Sequence, residues 1–272
     1  MRRVVHTVLI FFVSVSLPFA LKGQSNINIS NLLGFDGEPS LAINPSDPNN
    51  LIAGWMRLRQ DGKIWIATRA SFDGGETWSA INFLPHDTVL NGSADISIDF
   101  HRTGAAYASY INFRTSPDTA GAVFLVKSTN GGLSWSIPRK VIDMADTPDL
   151  PIDRPWIAVD NSSGLLDGTV YVTTMSAYWV PAGLHHEYLR STRDDGLTWS
   201  PIRQVDTVGW SPAILTRSYG ALSVGAGGRV YVVYLSYDTS VSPFLRHYIA
   251  SSNDAGATFQ RYVVGNVILS TM

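Results

Sequence analysis

The chain has 272 residues, with 20 Lys and Arg against 22 Asp and Glu, a formal charge of −2. That near-balance argues against a nucleic-acid partner, which would need a basic surface. A hydrophobic content of 45% with only 15% charged residues argues against disorder. The absence of cysteine excludes disulfide scaffolds, thiolate metal sites and cysteine nucleophiles; no cofactor and no metal ion is expected.

Arg2 and Arg3 precede an apolar run over 4–21 that is broken mainly by His6. This reads as a signal peptide over 1–23, with a junction at Gly23–Gln24. The alternative is a membrane anchor near the lower length limit for a span. Polar Gln24, Ser25 and Asn26 follow at once and favour cleavage, and no later run is apolar for long enough to span. The mature part, 24–272, is expected to be secreted or held in the cell envelope or periplasm, without a membrane span. An exported chain without cysteine suits a bacterial source. Asn26-Ile-Asn-Ile-Ser30 alternates, and is a candidate outer strand.

From there the chain repeats itself about every 60 residues. First comes an inner segment: Ser40–Asn44, Asp95–Asp99, Trp156–Asp160 and Ala221–Val224. A second strand follows a polar or glycine turn at 51–55, 105–111, 169–175 and 229–237. A third, at 64–68, 122–127, 187–190 and 246–250, leads into an octad, and a fourth leaves it, as at 135–141 and 199–205. Each run is short, rich in Val, Ile, Tyr and Trp, and bounded by Gly, Asp, Asn or Pro. No helical period is found.

The octads are Ser71-Phe-Asp-Gly-Gly-Glu-Thr-Trp78, Ser128-Thr-Asn-Gly-Gly-Leu-Ser-Trp135, Thr192-Arg-Asp-Asp-Gly-Leu-Thr-Trp199 and Ser252-Asn-Asp-Ala-Gly-Ala-Thr-Phe259. Their composition is that of a hairpin turn. Asp73, Asn130, Asp194 and Asp254 can accept backbone N–H groups. Gly75, Gly132, Gly196 and Gly256 supply positive φ. Trp78, Trp135, Trp199 and Phe259 are expected to be largely buried between strands. An amide in place of a carboxylate at Asn130 fits a structural role, since a carboxylate with a chemical task could not be exchanged so freely.

These octads resemble the Asp-box, or BNR repeat, of the sialidase-type β-propellers, whose pattern is Ser/Thr-x-Asp-x-Gly-x-Thr-Trp/Phe. The resemblance covers roughly 36–264. It implies an all-β fold, a β-propeller of four-stranded antiparallel blades over 24–272. Four blades are expected, roughly at 36–86, 92–143, 152–206 and 216–264, either closed on themselves or, the preferred reading, as an incomplete part of a six-bladed sialidase-like ring. Sialidases of this family grip the substrate carboxylate with three arginines and use a Tyr–Glu nucleophile pair with an Asp acid. Here Asp36-Gly-Glu-Pro39 has Gly37 where the family has an arginine. Arg57-Leu-Arg-Gln-Asp61 resembles the family's Arg-rich loop, so Arg57 and Arg59 are glycan-binding candidates and Asp61 matches the acid. No segment matches the nucleophile.

Other polar and aromatic groups fall before inner strands or between second and third strands, positions that line one mouth of a propeller. They include Asp153-Arg154-Pro155-Trp156, Arg217-Ser-Tyr219, Tyr178-Trp179, His185-His186-Glu187 and Tyr237-Asp238. Cations, carboxylates and aromatic faces together suit sugar recognition, which makes Asp153, Arg154 and Arg217 further glycan-binding candidates; ordinary loop polarity is the competing reading. Two functions stay open: a glycan-directed propeller with glycosidase chemistry, or a non-catalytic extracellular scaffold that binds a carbohydrate or a protein.

Overall fold

The computed structural model describes residues 26–31, 34–85, 92–113, 121–143, 146, 152–176, 186–206, 220–236 and 246–266. The expected signal peptide at 1–23 and Arg217 lie outside them. Blade I is β1 (Asp36–Ile43), β2 (Leu51–Leu58), β3 (Ile64–Ser71) and β4 (Asn82–Phe83). Blade II is β5 (Gly92–Phe100), β6 (Ala106–Phe113), β7 (Gly121–Ser128) and β8 (Arg139–Asp143). Blade III is β9 (Ile152–Val159), β10 (Val170–Ser176), β11 (Glu187–Thr192) and β12 (Arg203–Gln204). Blade IV is β13 (Ala221–Val224), β14 (Val230–Ser236), β15 (Arg246–Ser252) and β16 (Gln260–Asn266). Each is an antiparallel meander in chain order, and the four sheets are separate. No α-helix occurs among the described residues, and no helix there is long and apolar enough to cross a membrane.

Fourth strands begin later than the sequence suggested: β8 at Arg139 and β12 at Arg203, not at Trp135 and Trp199. Pro138 and Pro201 have no N–H to give the third strand. Before them a serine ties across instead. Ser136 N donates to Lys127 O at 2.8 Å and Lys127 N donates to Ser136 Oγ at 3.0 Å. Ser79 and Ser200 make the same pair of bonds to Ala70 and Ser191.

Blades stack face to face, so their middle strands are buried on both sides; β6 is buried from Ala106 to Asn112. Ile98 and Phe100 of β5 pack with Ile52 and Ile66 of blade I. Ile157 and Val159 of β9 pack with Tyr107 and Val123 of blade II, and Leu222 of β13 packs with Tyr171 and Leu189 of blade III. Leu41 and Ile43 hold the corresponding places in β1, yet are 59% and 55% exposed. The outer part of that face is covered by the 26–31 segment, which joins no sheet. There Ile29 packs on Ala53, Trp55 and Ala67, and its carbonyl accepts from Arg69 Nη1 at 2.6 Å.

The inner strands are sheet edges, with N–H groups that need partners. The preceding blade supplies several. Ser40 Oγ accepts from Ile98 N at 3.2 Å, Ser97 Oγ from Ile157 N at 3.1 Å, and Asp99 Oδ2 from Val159 N at 2.7 Å. Burial pushes the Asp99 carboxyl up from its ordinary value, against the two backbone N–H bonds it accepts.

Candidate functional site at the central mouth

Each octad forms the turn between a third and a fourth strand, all on one face of the molecule. The first hydroxyl donates to Oδ1 of the Asp or Asn at 2.7–2.9 Å and accepts the glycine N–H at 2.8–2.9 Å. Asp73, Asp194 and Asp254 then accept the N–H and hydroxyl of the following Thr at 2.5–2.9 Å. Bonds from Thr77 and Ser71 hold the Asp73 carboxyl down at about 2, as bonds from Thr198 and Thr192 do for Asp194. For Asp254 a little burial opposes, but Thr258 and Ser252 still bring it to about 2. Asn130 keeps the turn without the charge, because its own Nδ2 donates to Ser134 Oγ at 2.7 Å. The glycines have φ of 95°, 95°, 82° and 84°, as their position requires.

The closing aromatics are half-buried rather than largely buried. Each lies over the blade before its own: Trp135 on the blade I–II core, Trp199 on II–III, Phe259 on III–IV. Such a clamp leaves one ring face toward water. Trp78 lies instead against the free face of blade I with Ile29.

The opposite face carries the mouth. In β1, β5 and β9 one extra residue bulges the inner strand against its partner, between Gly37 and Ser40, Ala94 and Ser97, and Asp153 and Trp156. The bulged residues are Glu38, Asp95 and Arg154, with φ of 50°, 55° and 46°. Left-handed backbone at non-glycine residues is uncommon, and three in register mark this ring of positions as specialised. All three line a central cavity of about 330 Å³ with Trp156 and with Gly220 ahead of β13. Every blade therefore contributes to one wall.

Two residues on, the register compares the blades directly. Blades I and II have Ser40 and Ser97, which cap the next inner strand; blade III has Trp156, which has no acceptor and is 48% exposed in the cavity wall. The Asp95 carboxyl is held well above the ordinary carboxylate range, by burial first, then by its hydrogen bond to Glu38 and the charge and hydrogen bond of Asp153. Asp153 is buried; its Oδ1 accepts from Arg154 N at 3.0 Å and its carbonyl from Thr174 Oγ1 at 2.7 Å. The acids run in series, Glu38 to Asp95 to Asp153, and no three potential ligands converge on a metal position among the described residues. Behind the wall, Glu187 packs so tightly on Gly220 that a Cβ there would lie 1.9 Å from Oε1.

Of the residues singled out from sequence, Arg154 lines the cavity and Asp153 is buried behind it, bonded to the Arg154 backbone N–H. Arg57, Arg59 and Asp61 are not brought to the cavity. Arg57 Nη1 bonds Asp36 at 2.9 and 3.2 Å, and Trp55 Nε1 joins the same carboxylate at 3.0 Å, bracing β1 to β2. The Arg59 guanidinium lies 4.5 Å from the Trp65 ring centroid and 5.3 Å from that of Phe83. Asp61 Oδ1 accepts from Lys63 N at 3.1 Å within the β2–β3 turn. His186 is buried beside Asp206 Oδ2 at 3.2 Å. Arg217, Tyr219, Tyr178, Trp179, His185, Tyr237 and Asp238 lie outside the described residues. Glu38 and Asp95 were not singled out. Aligning Glu38-Pro-Ser40, Asp95-Ile-Ser97 and Arg154-Pro-Trp156 is the signal that finds them.

Octads, blades and mouth together define an Asp-box β-propeller by fold. The BNR/Asp-box repeat family matches residues 69–80. Among solved structures, the chain is similar to the Hadza microbial sialidase Hz136, with a TM-score of 0.60 at 14% identity over 86% of this chain and 46% of that one. It is also similar to the Penicillium chrysogenum α-L-arabinanase complexed with arabinobiose, with 0.58 at 16% over 84% and 66%. The Trypanosoma rangeli sialidase gives 0.58 at 15% over 85% and 37%. The chain thus spans under half the length of these sialidases and about two thirds of the arabinanase. No curated protein sequence is similar enough to match.

Proposed function

We propose that this chain is an exported, glycan-directed propeller whose central cavity binds a sugar, and that Asp153 and Arg154 belong to that site. The observation that carries this reading is Trp156. It replaces a structural serine with a half-exposed aromatic face in the wall of a cavity that also carries Glu38, Asp95 and Arg154. Sugar rings stack on such faces while neighbouring carboxyls and guanidinium groups bond their hydroxyls. The fold's similarity to sialidases and an arabinanase supports the same direction. Export rests on Arg2, Arg3 and the apolar run that follows.

The test is a glycan array probed with the chain from residue 24, followed by calorimetry on the best ligand. Trp156→Ala is expected to weaken binding at least tenfold with an unchanged melting temperature. No glycan bound, or equal affinity in the variant, refutes the reading. Hydrolysis is a second reading, favoured by Asp95 in the cavity wall, whose raised carboxyl suits a general acid toward a leaving-group oxygen. Turnover of an activated glycoside that is lost in Asp95→Asn would carry the proposal that far.

A further inference from the structure

The cavity wall separates into an apolar and a polar part. Pro39, Ile96, Pro155, Ala221 and the Trp156 ring form the apolar part, which matches the C–H face of a sugar ring. Its size is at the small end of ligand pockets, about 300–1,000 Å³. Among the described residues, the polar part consists of Glu38, Asp95 and Arg154. Arg154 is followed inward by the buried carboxylate of Asp153, whose Oδ1 accepts the Arg154 N–H. Arg154 thus brings one cation, while the adjacent Asp153 and, behind Gly220, Glu187 bring carboxyl groups. Glu38 and Asp95, bonded to each other, add a further negative charge between them.

Gripping a carboxylate takes convergent, bidentate guanidinium groups. Arg57 is committed to Asp36, and Arg59 to Trp65 and Phe83 at the rim. Neither lines the cavity. A ligand carboxylate would meet the Glu38–Asp95 pair across a partly dry space, where like charges repel more than in water.

We propose that the central cavity accepts an uncharged sugar ring, stacked on Trp156, and rejects a sugar that carries a carboxylate. This rests on the glycan reading above and narrows it: the ligand is a neutral glycan unit, unlike a sialic or uronic acid. Glu38 and Asp95 accept from ring hydroxyls at the oxygens outside their shared bond, and Arg154 donates to them.

The experiment is calorimetry on the mature chain at low salt with two sets of probes. The neutral set is arabinotriose, xylotriose and galactobiose; the anionic set is digalacturonate and 3′-sialyllactose. At least one neutral probe is expected to bind ten times more tightly than either anionic one. Added salt should strengthen the anionic probes and leave the neutral ones unchanged, because it screens repulsion; this comparison needs no variant. Glu38→Gln, checked for an unaltered melting curve, should narrow the preference at least threefold. An anionic probe that binds best and loses affinity in Arg154→Ala overturns this inference while leaving the glycan reading intact. If no probe and no arrayed glycan binds, both fall together.

Discussion

The two faces of this propeller use the same repeat in opposite ways. On the Asp-box face, four turns separated by whole blades make the same bonds to within a few tenths of an ångström, and even the Asp-to-Asn exchange at 130 leaves the geometry in place. On the mouth face the backbone repeats, bulge for bulge, but the side chains do not: Glu38, Asp95 and Arg154 in one ring of positions, Ser40, Ser97 and Trp156 in the next. Where geometry and chemistry repeat together, the selection is for folding. Where geometry repeats and chemistry diverges, the positions are free for a ligand.

The electrostatics follow the same division. Asp73 and Asp254 are exposed and Asp194 half-buried, and all three are saturated with donors, which depresses them to about 2. Asp95 is enclosed among other acids, which raises it. One face favours carboxylates as anions; the other disfavours the anion at Asp95.

The largest effect should come from the Asp-box face, where the turns touch a neighbouring blade. Gly132 combines a φ of 95° with a close approach, since a Cβ there would lie 2.6 Å from Ile52 Cδ1 of blade I. Gly75 has the same φ but meets only Trp78, at 3.8 Å, because its blade has no described predecessor. Strained backbone and overpacking together should make Gly132→Ala destabilising by about 2–4 kcal/mol. Gly75→Ala should lose only the backbone part, about 1 kcal/mol. Chemical denaturation of both variants checks the difference, and equal losses would break the link between octad and blade contact.

A smaller effect separates the faces by pH. The depressed Asp-box carboxylates contribute stability above about pH 4, the ordinary range for an unfolded Asp, and lose it as pH falls through about 2. Asp95 has the opposite sign. Its raised folded value makes its contribution complete below about pH 4 and lost as pH rises through that value. Melting curves from pH 2 to 7 should therefore show Asp73→Asn below wild type at neutral pH and converging with it near pH 2. Asp95→Asn should gain on wild type as pH rises. Parallel curves for the two variants would mean that the faces do not differ electrostatically.

The sequence carried the Asp-box face almost completely, because the octad encodes a local turn: hydroxyl, carboxylate or amide, glycine and aromatic all act within eight residues. It overstated how deeply Trp135 and Trp199 are buried, since their partners belong to another blade and octad composition says nothing about inter-blade fit. The mouth was legible only in part. Asp153 and Arg154 stood out as a charged pair ahead of an apolar strand, but Glu38 and Asp95 look like ordinary strand beginnings until a bulge turns them inward. A bulge depends on pairing with a strand fifteen or more residues away, and nothing adjacent in sequence announces it. Arg57 shows the reverse error of proximity: its loop looked like a ligand site, yet Asp36, distant in sequence, takes up its guanidinium.

The most direct test of the division between the faces is Trp156→Ser, which gives blade III the residue that blades I and II have at that position. Calorimetric affinity for the best arrayed glycan and the melting temperature should be measured on the same sample. Affinity is expected to fall at least tenfold, about 1.4 kcal/mol, while the melting temperature stays level or rises, since a serine there can cap the Leu222 N–H as Ser97 caps Ile157. A drop in melting temperature with unchanged affinity would show that Trp156 is part of the scaffold and would contradict the account.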